Sequence, residues 1–199
     1  MKKYKLKIVE DFDWQDLMSL EWGQGEHTKL LPNTAGKDNI PPSMFMLLKS
    51  STRLYFKFVT IDKDPKSTMT EYNAPLYDEE PLEIFISPDG NLERYFEFEV
   101  NHLGAVFAAW ANFKDGKVQK LDFVENNPVK VKIAPTHKGF ITYGYIDITD
   151  WNILESARIN VYRIKRDENN DFILGAYSPT GVDNFHVPDR FAGVEFIPS

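Results

Sequence analysis

The chain has 199 residues, 42% hydrophobic and 14% aromatic, with no cysteine and a formal net charge of −7, enough apolar material for one substantial core. The acidic balance, with no Lys/Arg cluster interleaved with aromatics, excludes nucleic acid as a partner, and the absence of cysteine excludes disulfides, thiolate nucleophiles and Cys-ligated zinc. The N-terminal MKKYKLKIVEDFDW has only a broken apolar run before Glu10 and Asp11, so no signal peptide and no membrane span are expected; the protein is then cytoplasmic, or extracellular with its signal removed.

Residues 4–9, YKLKIV, alternate as a first strand. DWQDLMSLEW at 13–22 places Trp14, Leu17, Met18 and Trp22 on one helical face, which predicts a short helix. Residues 23–43 are rich in turn formers and read as a long surface excursion. Strand signals then recur in MFMLLK, RLYFKFVTI, LEIFIS, RYFEFEVN and GAVFAAW, ending at Trp110, with turns at SPDG (87–90) and NHLG (101–104). VKVKI (129–133), FITYGYIDI (140–148), RINVYRI (158–164) and GVEFI (193–197) bring the count near ten. TDWNIL at 149–154 reads as one helical turn capped by Thr149 or Asp150. The expected fold is a single all-β domain over residues 1–199, an antiparallel β-sandwich of jelly-roll or immunoglobulin-like type with one or two short helical turns.

The acids concentrate around LEIFIS and RYFEFEVN. In the second segment Phe96, Phe98 and Val100 alternate with Tyr95, Glu97, Glu99 and Asn101. The SPDG turn makes the two segments antiparallel neighbours, so Glu83 shares a face with Glu97, Glu99 and Asn101. Like charges on one face need counter-ions or a ligand. Arg53, Lys57 and Arg94 are the candidate cations, and a solvated face laced with ion pairs is the plain alternative. Glu79 and Glu80, just upstream, read as solvated loop acids. The histidines, His27, His102, His137 and His186, show no metal-ligand spacing.

Four ordered blocks, LYFKFVTIDKD, APLYDEEPLEIFISPDG, YFEFEVNHLG and AYSPTGVDNFHVPDRFAGVEF, resemble carbohydrate-binding module family 9 and the DOMON-like sandwiches related to it. The resemblance implies a non-catalytic domain whose partner is an oligo- or polysaccharide, held between two aromatic rings with carboxylate and amide contacts, often with structural calcium. By position it implies Tyr77 and Phe185 as the ring clamp, Glu83 and Glu99 as strand carboxylates, and Asn101 and Asn184 as amide contacts. Sugar-binding members usually carry Trp at both clamp positions, and Glu99 stands where an Arg can donate. Oxygen ligands for calcium are present at 62–64 and 77–80, in no EF-hand order. Three rival readings remain open at this point: a glycosidase using Glu83 with Glu97 or Glu99, a DOMON-like haem or partner-binding sandwich drawing on Met44, Met46 or Met69, and a stand-alone interaction scaffold with no sugar partner.

Overall fold

A computed structural model describes residues 1–13, 17, 22–35 and 40–198. Most of the predicted helix at 13–22, Trp14 and Met18 included, lies outside the described residues. Leu17 and Trp22 are buried together with Leu48 and Tyr55.

Fourteen strands are described: β1 (Lys3–Ile8), β2 (Thr28–Lys29), β3 (Leu31–Pro32), β4 (Ser43–Lys49), β5 (Arg53–Ile61), β6 (Leu82–Ser87), β7 (Arg94–Val100), β8 (Val106–Lys114), β9 (Lys117–Phe123), β10 (Val129–Thr136), β11 (Gly139–Asp147), β12 (Arg158–Arg166), β13 (Phe172–Ala176) and β14 (Ala192–Ile197). They form one hydrogen-bonded path, β10-β11-β5-β4-β1-β14-β12-β6-β7-β8-β9, with β2, β3 and β13 attached at its side. The expected all-β class holds. Purely antiparallel pairing does not, because β1 lies parallel to both β14 and β4.

The path curls until distant strands face each other. Phe56 of β5 packs on Phe98 of β7 with ring centroids 4.9 Å apart, within one core that also holds Tyr4, Phe45, Ile84, Ile86, Phe96 and Val161. Alternation thus does what period-two sequence demands, turning one apolar face of each central strand inward.

Three local expectations change. TDWNIL forms no helical turn. Asp147 Oδ1 accepts from the Thr149 backbone N–H and hydroxyl at 2.9 and 2.7 Å, an Asx turn that competes with helix nucleation. The excursion at 23–43 is tied down by short pairings of β2 with β4 and β3 with β13. Besides β2 and β3, two strands go unread in the sequence: β9, which follows an Asp115–Gly116 turn with positive φ at both residues, and β13.

Candidate functional site

β6 and β7 pair antiparallel with Glu83 opposite Glu99 and Phe85 opposite Glu97, so the three acids do share one face, as their alternation requires. This face points away from the main core, yet it is not solvated. Glu83 is 2%, Glu97 3% and Glu99 0% exposed, because two loops roof it.

The first loop runs from β5 to β6 and carries Tyr77 on a 3-10 turn, Leu76–Asp78. Its anchors are polar. Asn73, at φ 60°, accepts from Ala108 N–H at 2.9 Å and donates to Val124 O at 3.2 Å. Glu79 accepts from Thr68 and Met69 N–H, and Asn101 Nδ2 donates to Met69 O at 2.8 Å. Asn101 Oδ1 accepts from Leu103 and Ala105 N–H, so this amide holds the backbone that presents Tyr77. Buried Leu76 nails the turn down and leaves Tyr77 38% exposed, its ring edge-on to Phe107 at 5.6 Å.

The second loop runs from β13 to β14. Asn33 fastens it, donating to Thr180 Oγ1 and Val182 O at 2.8 and 2.7 Å. Phe185 stacks on Tyr162 with centroids 4.1 Å apart, and the Tyr162 hydroxyl donates to Phe185 O at 3.0 Å. Asn184 is exposed; its Oδ1 accepts from His186 N–H at 2.9 Å. His186 Nδ1 meets the Tyr95 hydroxyl at 2.7 Å, and its ring tilts over Phe85 at 5.2 Å.

Between the loops lies a cavity of about 290 Å³ lined by Tyr77, Glu83, Phe85, Glu97, Asn184, Phe185 and His186, with Val118, Leu121, Ile164 and Leu174 among its apolar walls. Of the six residues singled out by sequence, the cavity gathers Tyr77, Glu83, Asn184 and Phe185. Glu99 lies beside it, paired with Phe107 on β8, and Asn101 holds the loop behind Tyr77. Phe85, Glu97 and His186 complete the lining. The same alternation that selected Glu83 places Phe85 and Glu97 with it.

The electrostatics are unusual for a buried acid cluster. Arg53 lies over Tyr145, Lys57 over Trp22, and Arg94 pairs with Asp122 at 3.2 Å; the expected counter-ions are spent elsewhere. Burial pushes the carboxyls of Glu83 and Glu99 well above the ordinary range, reinforced by Glu97 at Glu83 and by Glu83, Glu97 and Asp78 at Glu99. Burial lifts Glu97 to about 7 and lowers His186 to about 4. Burial thus favours the protonated form of these carboxyls, and a protonated Glu83 can both donate and accept, where an ionised acceptor was expected.

Glu80 is not a solvated acid either. It is 7% exposed, pairs with Lys165 at 2.9 Å and accepts from Lys66 and Arg166 N–H. Of the oxygen ligands expected for calcium, Asp62 is bound by Arg163 and Lys165, Glu80 by Lys165, and Glu79 by backbone N–H groups. Among the described residues no three His, Asp or Glu side chains converge on a metal position, so these residues do not fit a calcium. No described helix is long and apolar enough to cross a membrane.

No family model and no curated protein matches the chain. Solved structures do. A proposed carbohydrate-binding protein from Bacteroides uniformis aligns with TM-score 0.81 at 16% identity, covering 98% of this chain and 99% of that one. A family 9 carbohydrate-binding module from Caldicellulosiruptor kristjanssonii in complex with cellotriose aligns with TM-score 0.70 at 14% identity over 100% of this chain and 95% of that one. The glucose complex of a family 9 module from that organism gives TM-score 0.68 at 13% identity, covering 100% and 97%. The likeness runs through the whole length of both partners, and the fold of this chain is that of the family 9 carbohydrate-binding modules.

Proposed function

We propose that the chain is a non-catalytic carbohydrate-binding domain that holds one sugar unit in the cleft between Tyr77 and Phe185. The observation that carries this reading is convergence: Tyr77, Glu83, Asn184 and Phe185 come from three separate segments and line one cavity of about 290 Å³, near the lower end of the roughly 300–1,000 Å³ typical of small-molecule sites. A pyranose has an apolar C–H face that packs on a ring and hydroxyls around its rim. Tyr77 offers an exposed ring at the mouth; Phe185, braced by Tyr162, offers a fixed wall. Glu83 and the Asn184 amide supply the polar contacts, while Asn101 positions the loop of Tyr77 and Glu99 lies behind it. Two aligned solved structures, titled as complexes with cellotriose and with glucose, make those sugars the natural first ligands.

A paired-carboxyl glycosidase needs one acid held ionised while the other keeps its proton. Here burial raises all three carboxyls, with neighbouring acids and no cation acting on them, which favours binding over hydrolysis.

Titration calorimetry with glucose and cellotriose, run beside thermal melts, tests the proposal. Glu83→Ala and Tyr77→Ala should each weaken binding roughly five- to a hundredfold, about 1 to 3 kcal/mol, with the fold intact. Wild-type affinity in both variants would place the ligand elsewhere.

A further inference from the structure

The cleft has a property that a neutral sugar leaves unused. Glu83 Oε1, Glu97 Oε2 and both Glu99 carboxyl oxygens are buried with no partner outside the acid cluster, and within it Glu97 and Glu99 share a hydrogen bond that raises the pKa of Glu99 and lowers that of Glu97. Buried polar groups of native proteins nearly always have partners, and the unmatched oxygens of Glu83 and Glu97, the two of these acids that line the cavity, point to a missing donor. The groups around them supply none of the needed charge. β12 contributes Tyr162 and β7 contributes Tyr95, the first loop Tyr77 and Asp78, and the second loop Asp183, which accepts from Thr34 at 3.0 Å, and His186. His186 is the one basic group lining the cavity, 3.9 Å from Glu97, and burial keeps it neutral at pH 7. Arg166 lies over the Phe172 ring at the rim, but its guanidinium donates to Asn170 O and Asp78 O, each at 2.7 Å.

Rings complete the arrangement. Phe85 and Phe185 line the cavity beside the carboxyls, and Tyr77 stands at its mouth. Aromatic walls with carboxylates set among them are the chemistry that recognises an ammonium group, through ring quadrupoles and charge-assisted N–H···O bonds together. A hydroxyl brings one donor and no charge; an ammonium brings three donors and the charge that would allow these acids to ionise.

We propose that the ligand is an amino sugar with a free, protonated amine, its N–H donors directed at Glu83 and Glu97 while the ring packs against Tyr77 and Phe185. This narrows the sugar-binding reading and rests on it. Binding then ionises carboxyls that are protonated in the free protein, so protons are released to solvent. N-acetylation, which removes the charge, forfeits the advantage.

The test is calorimetry on the full chain at pH 6.5 with glucosamine, N-acetylglucosamine, glucose and cellotriose, each in two buffers of different protonation enthalpy. Glucosamine should bind at least tenfold tighter than glucose and N-acetylglucosamine and should alone show buffer-dependent heat from released protons. Glu97→Gln, which keeps the side chain's size, should remove most of that preference, weakening glucosamine at least fivefold more than it weakens glucose. Glucose binding as tightly as glucosamine, or a preference that survives Glu97→Gln, overturns the proposal and leaves the sugar site standing. Binding of none of the four sugars removes the site and the proposal together.

Discussion

Replacing Glu97 with Gln should stabilise the protein in alkaline solution and do little in acid. The reasoning starts from burial. Glu97 is 3% exposed and titrates at about 7, against an ordinary value of 4.5. A carboxyl whose folded pKa is raised contributes stability that is fully present below its unfolded pKa and is lost as pH rises through the folded one. For Glu97 that window runs from about 4.5 to about 7. At about 1.4 kcal/mol per decade of proton affinity, wild type loses about 3 kcal/mol by pH 9. Gln cannot ionise, so the variant keeps that stability. Its partners act in the same direction, since a neutral residue at 97 relieves Glu83 and Glu99, both of which feel Glu97; Tyr95, Tyr162 and Tyr77 titrate far above this window, and His186 below it. Thermal melts from pH 4 to 9 should show matching midpoints at pH 4 and a variant roughly 6 to 12 °C more stable at pH 9, at about 2 to 4 °C per kcal/mol for a chain of this size. A variant equally destabilised at both ends of the range would mean that the Glu97 carboxylate is paired in the fold, and the reasoning about an unpartnered cluster would be wrong.

Phe185→Ala should lower unfolding free energy by about 3 kcal/mol or more in urea, because it empties a buried stack on Tyr162; an unchanged urea midpoint would show that the second loop docks without its ring. Glu80→Ala should cost about 3 kcal/mol by leaving Lys165 partly unpaired near the sheet end, read in the same urea titration, whereas sugar affinity should hold within about twofold. A loss below about 0.5 kcal/mol would return Glu80 to the solvated surface.

The central strands were legible because period-two alternation in LEIFIS and RYFEFEVN carries both register and face: it put Glu83, Glu97 and Glu99 together before any coordinates. It could not say whether that face meets water. The roof comes from loops whose anchors are single polar residues, Asn73, Asn33 and Thr180, each bonded far along the chain, and one amide in a loop has no periodic signature. Glu80 looked solvated for the same reason, since Lys165 stands 85 positions away. β9 reads KVQKLDF and is exposed or half-exposed throughout, so no apolar face announces it. β1 alternates visibly, but parallel pairing leaves no mark within the strand itself; it is decided by β14 and β4 on either side.

That seam governs how the molecule can assemble. β1 lies between β14 and β4, with Lys3 opposite Gly193 and Lys7 opposite Leu48, so the first and last strands of the chain are neighbours in the middle of the sheet. One arm of the path, β10-β11-β5-β4, and the other, β12-β6-β7-β8-β9, can each form from antiparallel neighbours, and along the path they join through β1 and β14. A ribosome delivers β14 (Ala192–Ile197) long after β1 (Lys3–Ile8), so β1 waits with one edge unpaired, and contacts of such sequence separation close slowly. Lys3, Lys5 and Lys7 alternate along that waiting strand, and a row of like charges is the device that keeps an open edge from pairing with another copy of itself.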